Sequence, residues 1–162
     1  MKSKKLFLIP VILLVVVFVM ISGCQKHSDQ ESPIQVIVER WDPLVGTVYR
    51  AGSYDGIVCD MRPVFLSSYS PIDIGYAIIK TIAVEVYYNN TKISSYNIST
   101  HYAMPVNSTS TLSGVILGWP HLYNYLNSHG AVNVLIYKFV FSGEDSSGKS
   151  ISVESEITVT VL

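Results

Sequence analysis

From Ile151 to Val161 the chain alternates with a period of two. Ile151, Val153, Ser155, Ile157, Val159 and Val161 share one side of an extended backbone, and Ser152, Glu154, Glu156, Thr158 and Thr160 share the other. Successive side chains of a strand point to opposite faces, so the segment predicts a strand with one buried and one wet face. Such a strand needs partners in a sheet and a layer to cover its apolar side. Directly upstream, residues 132–142 (VNVLIYKFVFS) are apolar on both faces, as a central strand requires. Residues 143–149 (GEDSSGK) lie between the two segments. There Asp145 can accept hydrogen bonds from the backbone that follows it, and Gly148 tolerates positive φ, so the pair reads as an antiparallel hairpin.

The same period extends upstream. Residues 77–88 carry Ile78, Ile82, Val84, Val86 and Tyr88 on one expected face. Asn89-Asn90 supplies a tight turn, and residues 92–99 offer a return strand with Ser94, Tyr96 and Ile98 on one face. Further strand candidates are 34–40, 56–66 and 112–117, with Pro63 predicting a bend or an edge position in the second. One segment departs from the pattern. Leu122, Tyr125 and Leu126 follow helical spacing after Pro120, a residue suited to a first helical position, and Gly130 is placed to end the turn. The expectation is all-β: an antiparallel β-sandwich of about seven strands with one short helix crossing between sheets.

The final hairpin, with alternating strands around an Asp-x-x-Gly turn over residues 132–162, is similar to the last two strands of immunoglobulin-like and fibronectin-III-like domains. The resemblance implies an immunoglobulin-like architecture and no particular activity. The chain departs from antibody domains in having a single cysteine, Cys59, beyond residue 24, so no disulfide can join the sheets.

The N-terminus carries different information. Lys2, Lys4 and Lys5 precede an uncharged run, residues 6–21, that reads as a signal or membrane helix, and Ile21-Ser22-Gly23-Cys24 follows. These four residues resemble the lipobox of prokaryotic lipoproteins: an aliphatic residue, two small residues and a cysteine. The resemblance implies cleavage before Cys24 and a diacylglyceryl group on its sulfur. An uncleaved anchor is the alternative. Two acyl chains attach durably because each buried methylene contributes ~0.8 kcal/mol. Residues 25–33 (QKHSDQESP) are too polar to build a core and read as a tether. The expected organisation is a signal peptide over 1–23, a lipidated cysteine and tether over 24–33, and a sandwich over 34–162, held outside the cytoplasm at a membrane.

Charge narrows the function classes. The 162 residues include 11 basic and 12 acidic side chains, but three of the basic ones precede the lipobox, leaving a formal charge of −4 beyond it. That balance disfavours nucleic acid as a partner. Cys59 reads as a small buried hydrophobe with no activating cation on its strand face. His101, His121 and His129 match no metal-binding spacing, and no catalytic serine motif or phosphate loop occurs. The reading is therefore a non-enzymatic interaction or structural role in the cell envelope, with the membrane and an envelope protein as partners and no cofactor. The alternative is a module that binds a glycan or small molecule through Trp119, Tyr123 and Tyr125, which cluster in sequence around the predicted helix. A metal protein or envelope enzyme ranks below both. Three Asn-x-Ser/Thr triplets start at Asn89, Asn97 and Asn107; in an archaeal envelope protein they would be able to carry glycans.

Overall fold

A computed structural model describes residues 32–66 and 74–162. Residues 1–31 lie outside the described residues; they hold the expected signal or membrane helix, Ile21, Ser22, Gly23 and Cys24 that resemble a lipobox, and most of the expected tether. The elements in chain order are β1 (Ile34–Asp42), β2 (Val45–Tyr49), β3 (Ser53–Tyr54), β4 (Ile57–Phe65), β5 (Tyr76–Tyr88), β6 (Thr91–Pro105), β7 (Ser110–Val115), α1 (Pro120–Ser128), β8 (Val134–Asp145) and β9 (Ser150–Val161). They form a three-stranded sheet, β1-β4-β7, and a six-stranded sheet, β3-β2-β9-β8-β5-β6.

Among the described residues nine strands stand where about seven were expected, because the chain changes sheets early. After β1 it passes the cis Asp42–Pro43 peptide and continues as β2 in the other sheet. The switch lets Trp41 and Val48 both point inward, at 6% and 0% exposure. The Trp41 indole N–H donates to Ser155 Oγ at 2.9 Å, so the ring is buried with its polar atom satisfied. The sheets are not wholly antiparallel, as the sequence suggested. The sheet change brings β2 alongside β9 in the same direction, with Val45 opposite Thr158 and Val48 opposite Val161. Pro63 sits where the strand rule allows it. The β4–β7 ladder ends at Met61; beyond it Pro63 pairs with β1, opposite Val36, and on its other side accepts only the Asn107 N–H, at 2.7 Å, so no strand needs the N–H that proline lacks.

Both predicted hairpins form. Asn89 and Asn90 take φ of 47° and 63° between β5 and β6. Asp145 Oδ1 accepts the Ser147 and Lys149 N–H groups at 2.8 and 3.0 Å, and Gly148 has φ 82°. One face assignment differs from expectation. Ala77 and Ile79, not Ile78, join Ile82, Val84 and Val86 in the core. A bulge at Lys80 inverts the alternation, because one extra residue moves every earlier side chain to the other face. Gly143 accommodates the bulge: a Cβ there would lie 1.8 Å from the Ile78 carbonyl oxygen.

The connection from β7 to β8 covers the inner face of the larger sheet. Helix α1 buries Leu122 and Leu126 at 0% exposure, each contributing roughly 1.5–3 kcal/mol. Gly130 does not end the helix with a positive φ. Arg50 does that work instead: its guanidinium donates to the carbonyls of Leu126 and Val132, and to Gly130 O at 3.0 Å. A cation there also opposes the negative end of the helix dipole.

The folded body begins before Ile34. Ser32 is buried, and its hydroxyl donates to Asp145 Oδ2 at 2.7 Å while accepting the Ile34 N–H at 3.0 Å. Ser32 and Pro33 therefore belong to the body, not to the tether. They fix where the chain enters, at the end carrying the β8–β9 turn. Helix α1, β3 and the β5–β6 turn lie toward the opposite end.

Candidate functional site

Residues 116–119 run inside the molecule without a ladder of their own, so their carbonyls need other donors. Tyr96 on β6 donates to Ile116 O at 2.6 Å, and Tyr137 on β8 donates to Leu117 O at 2.6 Å. Burial pushes both phenol pKa values up, so each stays a donor across the physiological range. The strand pattern thus places two tyrosines where an irregular segment requires hydroxyls.

Around this segment the structure gathers Tyr54, Tyr96, Trp119 and Tyr123. The Trp119 and Tyr96 rings stack with centroids 5.3 Å apart and planes 7° from parallel. Gly118 lets the cluster close: a Cβ on it would lie 1.8 Å from Tyr123 Oη and 2.8 Å from Tyr54 Cδ1. Trp119 and Tyr54 remain 39% and 37% exposed. Of the three aromatic residues the sequence nominated, Trp119 and Tyr123 come together here. Tyr125 does not; it stacks on His129 at 4.1 Å along the helix. Tyr54 and Tyr96 were missed because their distance in sequence from residue 119 hides their proximity. The cluster presents π-surface and few charges, which suits the apolar face of a sugar or another flat ligand.

A second surface lies on the outer face of the larger sheet. Tyr87 donates to Glu85 Oε2 at 2.6 Å, Lys92 reaches Glu85 Oε1 at 3.0 Å, and Lys138 Nζ lies 5.1 Å from the Tyr87 ring centroid. The Tyr87 hydroxyl and then Lys92 hold the Glu85 carboxyl below its usual range. Glu154 and Glu156 are exposed alongside on β9, and Lys138 faces Glu156 across the ladder. Tyr87 lines three adjoining shallow concavities on this face, two of them shared with Lys138 and Glu156.

The remaining candidates are dispersed. Cys59 is fully buried, and burial followed by the neighbouring Asp60 charge pushes its thiol up to about 12. Asp60 is engaged by Thr111 at 2.5 Å and Arg40 at 2.8 Å, which hold its carboxyl below the usual range. His101 is exposed on β6, and His121 and His129 are exposed at the two ends of α1. Among the described residues, no three His, Cys, Asp or Glu side chains converge as a metal site.

No family model matches the sequence, and no curated protein matches it. Among solved structures the chain is similar to a protein from Archaeoglobus fulgidus, with TM-score 0.38 and 11% identity over 81% of this chain and 97% of that one. It is also similar to Spo0M, a sporulation control protein from Bacillus subtilis, with TM-score 0.35 and 10% identity over 80% of this chain and 49% of that one. Neither likeness transfers a role.

Proposed function

We propose that the chain is a lipid-anchored protein of the prokaryotic cell envelope whose body is an immunoglobulin-like, non-enzymatic interaction module. The observation that carries this reading is the run of three lysines, an apolar segment and Ile21-Ser22-Gly23-Cys24. The strand order supports the immunoglobulin-like part. β1 pairs with β4, the chain then crosses to lie parallel to β9, and β9-β8-β5-β6 forms the facing sheet. Immunoglobulin-like domains likewise divide their strands between two facing sheets.

Entry of the chain beside the β8–β9 turn supports one orientation for such a module. With Cys24 in the bilayer and Ser32 at the β8–β9 turn, the twelve residues of β9 carry the opposite end about 40 Å farther out. The Tyr87 face runs along this length, open to a neighbouring envelope protein. Cys24→Ser abolishes fatty-acid labelling and releases the protein from membranes; continued labelling rejects the anchor. Cross-linking in intact envelopes recovers a specific partner that Tyr87→Ala loses; recovery of no partner rejects the interaction role.

The stacked Trp119–Tyr96 pair favours a second reading, a glycan or small-molecule site at the outer end. Titration with envelope polysaccharide quenches Trp119 fluorescence under that reading. An unchanged emission signal and equal binding by Trp119→Ala reject it.

A further inference from the structure

We propose that β6 is an N-glycosylated edge, with acceptor asparagines at Asn89, Asn97 and Asn107. The proposal rests on the extracytoplasmic reading above and adds a modification to it. Seven asparagines occur in the chain, and only these three begin an Asn-x-Ser/Thr triplet. The fold brings all three to one border of the molecule. Asn89 lies in the turn entering β6, Asn97 in its middle and Asn107 just past its end. β6 is the outermost strand of the larger sheet. All three asparagines are exposed, as are the hydroxyl residues Thr91, Ser99 and Thr109 two positions on. Within β6 an acceptor and its hydroxyl lie on the same face, since Asn97 and Ser99 are two residues apart.

The same strand has a physical need for a shield. Its fifteen residues make it the longest sheet edge in the described structure, and between Lys92 and Pro105 it carries no Lys, Arg, Asp or Glu. A long edge rich in Ser, Thr, Tyr and Ile, without charges, invites pairing with another chain. The other borders are shorter: β3 has two residues, β7 has six, and β1, with nine, carries Glu39 and Arg40. Glycans on the turns and centre of β6 would block lateral approach along about 50 Å of strand. They would leave the β9 part of the outer face open, while a glycan on Asn89 would stand at the end that carries α1, beside Tyr87.

The modifying step is a group transfer from a polyprenyl-phosphate-type oligosaccharide by an envelope transferase. The asparagine side-chain nitrogen attacks the anomeric carbon. The N–C bond forms, the C–O bond to phosphate breaks, the lipid phosphate leaves with the electron pair, and the amide proton passes to a base on the transferase. Asn89, with φ 47°, lies at a hairpin tip outside the β5–β6 ladder. Thr109 donates to Glu39 Oε2 at 2.8 Å in the folded body, so transfer at Asn107 competes with that hydrogen bond.

The test is glycopeptide mass spectrometry of the full chain extracted from its own envelope, with its membrane partition measured on the same sample. The expected result is glycan mass on the Asn89 peptide and on at least one of the other two. Asn89→Gln and Thr91→Val should each remove it, while Thr91→Ser retains it. Bare peptides at all three positions in membrane-partitioned protein overturn the proposal and leave the anchor standing. Bare peptides in protein that does not partition to membranes overturn both.

Discussion

The two tryptophans occupy opposite roles in one body. Trp41 packs at 4.7 Å from Phe139 and 6.1 Å from Phe141 and satisfies its indole N–H on Ser155. Trp119 has one face on Tyr96, begins the turn into α1, and keeps more than a third of its surface in water. The same residue type fastens two sheets together in one place and offers a ring to solvent in the other. Aromatic content therefore says little about binding until burial divides the rings into frame and surface. Here Trp41, Tyr137, Phe139 and Phe141 are frame, and Trp119 with Tyr54 is surface.

The largest effect expected from this division is at Trp41. Trp41→Ala should lower stability by about 3–5 kcal/mol in urea denaturation, because it leaves a cavity between the sheets. Tyr137→Phe comes next, at about 1–3 kcal/mol, since it removes the donor from a buried Leu117 carbonyl. A loss at Tyr96→Phe as large as at Tyr137→Phe would shift the boundary between frame and surface inward. Trp119→Ala should cost less than Trp41→Ala, about 1–2.5 kcal/mol, for one aromatic pair and the covered part of the ring. If its loss equals that of Trp41→Ala, the two rings are not different in kind and the comparison fails.

Acid separates frame from surface by another route. Asp145 is 1% exposed; burial alone would raise its pKa, but hydrogen bonds from Ser147, Ser32 and Lys149 outweigh burial and lower it. A folded-state pKa below the unfolded one stabilises at pH above the unfolded value of about 3.9, and that stability is lost as pH falls through the folded value. Wild-type protein should thus lose stability below about pH 4 more steeply than Asp145→Asn. Parallel acid profiles for the two proteins would show that the Ser32–Asp145 closure adds nothing to stability.

Much of the frame was legible locally. Period-two alternation located β5, β8 and β9, and Asn89-Asn90 and Asp145–Gly148 gave their turns, because these signals depend on adjacent residues. What escaped was set by contacts distant in sequence. The sheet change at Asp42–Pro43 depends on the room between sheets that Trp41 and Val48 fill. The bulge at Lys80 is visible only when β8 supplies Gly143 opposite it. The helix end was assigned to Gly130, but the donor came from Arg50, far upstream. The aromatic surface was legible in half for the same reason: Trp119 and Tyr123 are neighbours in sequence, whereas Tyr54 and Tyr96 reach them through the fold.

The proposed outward-facing sandwich, tethered by lipid at Cys24, turns on the state of one sulfur. The most direct measurement is the mass of the N-terminal peptide of the protein extracted from its native membrane. The account predicts a chain beginning at Cys24 with a diacylglyceryl thioether on the sulfur. A peptide still beginning at Met1, with a free thiol at position 24, would contradict it.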